Sequence, residues 1–366
     1  MKKLTKQDAY DILYGCTILG TGGGGSLQDG LKKMDEVFAQ GKEITLCDFD
    51  ELEPDDMIVC PYSCGAVSPE SKADDAKYGS LPKAAEEPHV IALKQMEKYL
   101  GKSVKAVIST ELGGGNTAMA LYCAAVCDKK LVDGDPAGRS VPGLQHTTFL
   151  IHGLGIEPMS LCNNYGETVM ITHVDNDYRA EEMVRSLAVI SRNSIAVADH
   201  PAPAKQMKNA VIRGAITNAW KIGTAFRKAL ESGAKDVIAQ SAAAGKGKIV
   251  FSGTTTAEQW DTIEGYTIGT VEIKSGNDIY KVWYKNENII SWKNGKYFVT
   301  VPDLLCLFDT DTQKPIVNPY HQVGQNVTAV VYPAPYDWTT PMGIELFGPR
   351  SFGYDTDWTP YNKLNK

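Results

Sequence analysis

Val104-Lys105-Ala106-Val107-Ile108-Ser109-Thr110-Glu111-Leu112-Gly113-Gly114-Gly115-Asn116-Thr117-Ala118-Met119-Ala120 decides how this chain folds. The apolar run from Val104 to Ser109 is short and rich in β-branched residues, so it predicts a buried strand. Three glycines end it, and Asn116 opens an Ala-rich helix reaching Cys127. A strand running through a glycine loop into a helix is the repeating unit of an α/β layer. In open sheets of this kind ligands bind beyond the carboxyl ends of the strands, which is where this loop lies.

The same alternation extends in both directions. Asp8 to Leu19 predicts a helix with Thr5 as N-cap and Asp8 three residues on, a better reading than a signal peptide because acidic residues interrupt the apolar run. Ser26 caps a second helix reaching Ala39. Strands are predicted at Ile44–Cys47, Met57–Pro61, Lys130–Val132, Met159–Cys162 and Thr168–Thr172, with an amphipathic helix at Pro88–Leu100. Helices return from Asn176 to Ala244 around a strand at Ile195–Ala198. Beyond Gly245-Lys246-Gly247 the character changes to strand formers separated by turn pairs such as Gly276-Asn277 and Asn294-Gly295. The expected architecture is an α/β three-layer sandwich over residues 1–245 and a smaller all-β, barrel-like domain over 246–335. A Pro-, Trp- and Tyr-rich tail over 336–366 is expected to pack back across both, the alternative being an interface to a partner.

Three loops carry candidate chemistry. Gly20-Thr21-Gly22-Gly23-Gly24-Gly25-Ser26 joins two helices, and consecutive glycines let backbone N–H groups wrap an anion or a polar ring. It lacks the Lys-Ser or Lys-Thr of a nucleotide-binding P-loop and the preceding strand of a dinucleotide fingerprint. Either it binds through Thr21, Gly22, Gly23 and Gly24, or it only connects the helices. In the second loop Gly113 and Gly114 offer further amides, while Glu111 and Asn116 supply an acid or base and an amide at the same mouth. The third is Asp133-Gly134-Asp135-Pro136-Ala137-Gly138-Arg139-Ser140. Its two carboxylates need a nearby cation, either Arg139, a divalent metal on Asp133 and Asp135, or the substrate; otherwise it is an Asp-rich turn. Gln145 and His146 follow, and His146 is a candidate general acid or base.

The 366 residues carry a net charge of -7 with 22% charged and 43% hydrophobic residues, an ordinary globular balance that disfavours nucleic-acid binding. No run is long and apolar enough to span a bilayer. Eight cysteines in a chain of this length read as reduced, buried thiols of a cytoplasmic protein. Cys60 with Cys64, and Cys123 with Cys127, lack the companion ligands of a tetrahedral metal site. Cys64, at a strand end before Gly65, is the one cysteine considered as a nucleophile, the alternative being a plain loop thiol. There is no His-Glu-x-x-His motif and no Gly-x-Ser-x-Gly elbow, so the sequence offers neither a zinc peptidase nor a serine hydrolase.

Taken together, Gly20–Gly25, Glu111–Asn116 and Asp133–Pro142 resemble the S-methyl thiohydantoin desulfurase family. So do Pro302-Asp303-Leu304-Leu305, Gly343-Ile344-Glu345-Leu346, Gly348-Pro349-Arg350 and Phe352-Gly353-Tyr354-Asp355. One departure is Cys64, where the family pattern leads one to expect methionine. The resemblance implies an α/β sandwich followed by a β-barrel. It also implies hydrolysis of a thiohydantoin or its S-methyl derivative to a hydantoin, with release of sulfide or methanethiol. Under that reading Glu111, Asp133, Asp135 and His146 are the catalytic candidates. Thr21, Gly22, Gly23, Gly24, Gly113, Gly114, Asn116, Arg139, Gln145 and Cys64 line the substrate. No cofactor is assigned, a divalent metal on Asp133 and Asp135 being the one candidate. The alternatives are a ring-opening hydantoin or oxoproline amidohydrolase, or a non-catalytic subunit of a hydantoinase-type complex. The expected partner is a small heterocycle, with a second copy or a hydantoinase-type protein as further candidates and neither nucleic acid nor membrane.

Overall fold

A computed structural model describes residues 1–66 and 77–364. After β1 (Lys2–Leu4), α1 (Lys6–Leu19) begins at a reciprocal cap. The Thr5 hydroxyl accepts from the Asp8 amide at 3.1 Å and the Asp8 carboxylate accepts from the Thr5 amide at 2.9 Å. Ser26 caps α2 (Leu27–Ala39) by accepting from the Asp29 amide. Then follow β2 (Ile44–Cys47), β3 (Met57–Gly65), α3 (Pro88–Leu100), β4 (Ala106–Ile108), α4 (Asn116–Val126) and β5 (Lys130–Val132). Next come β6 (Gly134–Asp135), α5 (Thr148–Ile151), β7 (Met159–Cys162), β8 (Thr168–Ile171), α6 (Asp177–Ile190) and β9 (Ser194–Pro203). The run closes with α7 (Ala204–Met207), β10 (Ile212–Arg213), α8 (Ala215–Glu231) and α9 (Val237–Ala244).

These elements form a mixed α/β domain around an eight-stranded sheet of order β1-β2-β5-β4-β3-β9-β7-β8. The four central strands β2, β5, β4 and β3 are parallel, and their neighbours are antiparallel. Strand alternation sends Val59, Val107 and Leu131 into one core with α1, α2 and α4. Ile58, Cys60, Ile108 and Val132 enter a second core with Phe149 and Val184. β3 and β9 both run well past their apolar stretches, because they pair with each other from Met57↔Pro203 to Gly65↔Ser194. The run of apolar residues within either strand alone ends before the pairing does.

The second domain is a curled, all-antiparallel half-barrel rather than a closed barrel. It consists of β11 (Lys248–Ile263), β12 (Tyr266–Ser275), β13 (Asp278–Lys285), β14 (Glu287–Lys293), β15 (Lys296–Thr300), β16 (Leu304–Asp309) and β17 (Asn326–Tyr332), in the order β15-β14-β13-β12-β11-β17-β16. Asn294 and Gly295 both take positive φ, as a two-residue turn between β14 and β15 requires. One face of β16 and β17, through Leu304, Cys306, Phe308, Val330 and Tyr332, joins the core of α1 and α8. The other, through Leu305, Leu307, Val327 and Val331, joins the half-barrel's own core. The tail, including α10 (Pro341–Phe347), sits on both domains. Trp338 is buried and its indole N–H donates to the Ala137 carbonyl at 2.8 Å, while Phe347 and Leu346 meet Ala137, Val141, Ile289 and Ile290. Among the described residues no helix is long and apolar enough to cross a membrane.

The helices α1 and α8 approach so closely that a Cβ on Gly15 would lie 1.7 Å from the Ala219 carbonyl oxygen, and one on Gly223 1.8 Å from that of Asp11. Arg227 and Thr224 secure the pair by donating to the Asp11 carboxylate at 2.7–3.0 Å. Backbone atoms cannot yield as a flexible side chain would. Gly15→Ala should therefore cost about 3 kcal/mol, read as a lowered melting temperature, whereas Lys221→Ala at an exposed position of α8 should change stability by about 0.5 kcal/mol or less.

Candidate functional site

The two glycine loops meet each other. The Gly24 carbonyl accepts from the amides of Gly115 at 2.9 Å and Asn116 at 3.1 Å, so the first amides of α4 are used there. A Cβ on Gly24 would lie 2.5 Å from the Gly113 Cα, and one on Gly113 would lie 2.3 Å from the Gly24 Cα. The Gly113 amide donates to the Thr117 hydroxyl and the Gly23 amide to the Gly20 carbonyl. Thr21 and Gly22 are sewn to the half-barrel, their carbonyls accepting from Asn288 and Asn318, each at 2.8 Å. The amides of Thr21, Gly23, Gly113 and Gly115 thus donate to protein acceptors, and the glycines serve close backbone approach.

What the loop contact creates is a cavity of ≈ 920 Å³ between the two domains. Gly25, Ser26, Leu27 and Gln28 form one wall. The first amides of a helix have no intrahelical acceptor, so α2 turns its positive end to this space. Ser63, Cys64 and Gly65 arrive from the end of β3, Glu111 and Asn116 from the loop after β4, and Glu287 from the start of β14. Glu111 adopts φ 62°, a left-handed conformation that costs a side-chain-bearing residue energy and recurs at functional positions.

Glu111 and Glu287 are coupled. The Ser140 hydroxyl donates to Glu111 Oε2 at 3.3 Å. Burial, and then the charge of Glu287, push the Glu111 carboxyl well above its ordinary range. Burial raises Glu287 to about 8, with Arg139 and Ser140 only partly opposing it. Asn116 ties the wall together, its Oδ1 accepting from the Ser63 amide at 3.0 Å and its Nδ2 reaching Glu111 at 3.5 Å. Cys64 borders the cavity with its thiol pushed up to about 12 by burial, so it is not a thiolate nucleophile at neutral pH. Arg185 also borders the cavity, but its charge is already met by Glu181 at 2.8 Å.

Other candidates lie off this wall. Asp133 turns its carboxylate to α8, accepting from the Thr217 amide at 3.0 Å and from the Thr217 hydroxyl. Asp135 is buried, accepts from the amides of Ala137 and Gly138 at 2.8 and 2.7 Å, and is raised by burial to about 7. Their carboxylates therefore serve different backbone segments. Arg139 is fully buried and joins the domains, donating to Thr21 Oγ1, Asn288 O, Asp303 O and Ser140 O at 2.8–3.2 Å. His146 is stacked between Phe347 and Phe352, and burial lowers it to about 3. Burial thus favours the neutral ring of this candidate acid or base, and Gln145 neighbours it. Cys60, Asp199 and His200 have ligand atoms within 4.8 Å of one another. None lines the cavity, and Asp199 already accepts from Tyr62 at 2.6 Å and meets His200 at 2.8 Å.

Two features escaped the sequence. Glu287 opens a strand of the half-barrel and carries no local mark. Ser63, His89 and Glu87 come together although no sequence elbow announces them, so a serine–histidine–acid set exists after all. The Ser63 hydroxyl lies 2.8 Å from His89 Nε2, and His89 Nδ1 lies 3.2 Å from Glu87 Oε1. The short Glu87-Pro88-His89 spacing was the available signal, but only folding brings β3 beside it.

Family profiles match this arrangement over nearly its whole length. The profile described as S-Me-THD-like, N-terminal domain covers residues 7–173, and that described as S-Me-THD-like, C-terminal domain covers residues 175–361. The chain belongs to the S-Me-THD-like family. The boundary between the two profiles falls inside the eight-stranded sheet of this S-Me-THD-like chain, since β9 from the second inserts between β3 and β7 from the first. A crystal structure of a protein from Chromobacterium violaceum shares the fold. Its TM-score is 0.78 at 22% identity, covering 98% of this chain and 100% of that one. No curated protein matches the sequence.

Because Glu287 is raised from 4.5 to about 8 in the folded protein, its contribution to stability is full below the unfolded value and is lost as pH rises through the folded one. Glu287→Gln should thus gain in melting temperature relative to wild type as pH goes from 5 to 9. A difference that does not change with pH would contradict a neutral Glu287.

Proposed function

We propose that the cavity hydrolyses the carbon–sulfur bond of a small thiohydantoin, preferably its S-methyl derivative, giving the hydantoin and methanethiol. The observation that carries this reading is the pair of buried carboxyls Glu111 and Glu287 on the cavity wall, Glu111 accepting a hydrogen bond from Ser140. A thiohydantoin ring presents nitrogens and an oxygen that gain electron density when an oxygen adds at the sulfur-bearing carbon. Carboxyls that stay protonated near neutral pH can donate to those atoms, a role an ordinary carboxylate cannot fill. The amino-terminal end of α2 adds a favourable field for the same developing charge. The cavity admits a ring of this size together with water, and the oxygen of one water replaces the sulfur in the product. The family description, which names a thiohydantoin, supports the substrate class.

The test incubates pure protein with S-methyl thiohydantoin, following hydantoin by mass spectrometry and free thiol with a chromogenic reagent. Both products should appear together. Glu111→Gln and Glu287→Gln should each lower kcat by roughly 10²–10⁴-fold. In wild type kcat/KM should fall above about pH 8 as Glu287 ionises, and Glu287→Gln should lose that limb. Ring opening of plain hydantoin without thiol release would replace this reading with an amidohydrolase.

A further inference from the structure

We infer that Ser63 is the nucleophile of this cavity, with His89 as its base and Glu87 as the positioning residue, and that turnover passes through a covalent adduct on Ser63 Oγ. Ser63 stands at the carboxyl end of parallel strand β3 and borders the cavity, whereas His89 is buried behind it, at 6% exposure. The geometry assigns the proton positions. Glu87 is held ionised: burial alone would raise it, but hydrogen bonds from His89 and Lys33, with the charge of Lys33, outweigh this and lower it. An ionised carboxylate only accepts, so His89 Nδ1 carries the hydrogen in that 3.2 Å contact. In neutral His89, Nε2 is then left as an acceptor, 2.8 Å from the Ser63 hydroxyl. Lys33 fixes Glu87 from the other side at 3.0 Å, and Asn116 fixes the Ser63 backbone at 3.0 Å. A serine whose hydroxyl meets a ring nitrogen, with the other ring nitrogen on a carboxylate, is an activated nucleophile by its geometry, whatever the fold.

The substrate rests on the reading proposed above. Ser63 Oγ bonds to the sulfur-bearing ring carbon as its proton passes to His89 and the C=N electron pair moves onto nitrogen. That pair returns, the carbon–sulfur bond breaks, and the sulfur leaves as methanethiol with the proton from His89. The adduct is a ring ether of Ser63. Water then adds to the same carbon, giving its proton to His89. The carbon–Oγ bond breaks, Ser63 recovers a proton from His89, and the hydantoin departs. One water enters, one methanethiol leaves, and nothing is oxidised or reduced.

Diisopropyl fluorophosphate tests the nucleophile without the substrate. Intact-mass and peptide analysis should find one diisopropylphosphoryl group, on Ser63. Ser63→Ala should abolish the label, and His89→Gln should slow it by roughly 10²–10⁴-fold. Glu87→Gln should lower the maximal labelling rate without changing the reagent concentration at half-maximal rate. Ser63→Cys, which keeps the hydrogen-bonding position if alanine disturbs the fold, should be alkylated by iodoacetamide at residue 63 faster than any native cysteine. Label on another residue, absence of label together with an unreactive Ser63→Cys, or full turnover of S-methyl thiohydantoin by folded Ser63→Ala would overturn the inference. Label on Ser63 without any turnover of that compound would uphold the nucleophile and refute the substrate.

Discussion

The rest of the molecule depends on one backbone contact, between the Gly24 carbonyl and the amides that open α4. At this point two chain segments nearly ninety residues apart approach until neither can carry a Cβ. The contact sets where α2 begins, where α4 begins, and therefore where Ser26, Glu111 and Asn116 stand. It also brings the amino-terminal loop against the half-barrel, since a Cβ on Gly23 would lie 1.8 Å from Glu287 Oε1. A glycine here acts as a spacer of zero thickness. Adding even a methyl group would separate the walls that the cavity needs close together.

Electrostatics follow from that closeness. Glu111 and Glu287 are brought into a crowded space whose nearby cations are committed elsewhere. Arg139 spends its donors on carbonyls and Thr21 to hold the domains together, and Arg185 is paired with Glu181. Desolvation without a dedicated counter-charge favours the neutral acid. Glu87 shows the opposite case, because His89 and Lys33 both meet it and keep it ionised. Burial thus favours the neutral form of the two cavity carboxyls while close partners favour the ionised form of Glu87, a division set by neighbours and not by residue type.

The two domains are not independent bodies. β16 and β17 contribute to the helical core on one face and to their own core on the other. Asp303 collects the tail, accepting from the Ala334 amide, the Trp358 indole and the Tyr361 amide at 2.9–3.1 Å. Tail residues Trp338 and Phe347 then close over Ala137 and Val141, behind the loop that carries Ser140. A tail whose composition also suits an interface is largely occupied within the chain, because aromatic surface is buried wherever complementary apolar surface is nearest.

By itself the sequence determined what depends on neighbours along the chain. The helix caps at Thr5 and Ser26, the alternation of apolar runs and glycine loops, the hairpin turns after Ser275 and Lys293 and the family signature all arise within a few residues of one another. It also put Glu111, Asn116 and Cys64 near a strand end, where they do border the cavity. Only the tertiary structure decided which polar groups are left free to meet a ligand. Asp133 faces α8, Arg139 is consumed at the domain seam, and His146 is shut between two phenylalanines, while Glu287 and the Ser63–His89 pair reach the site from separate elements. Hydrogen-bond capacity and desolvation are set by atoms distant in sequence, and no local pattern encodes whether a donor or a carboxylate has already found its partner.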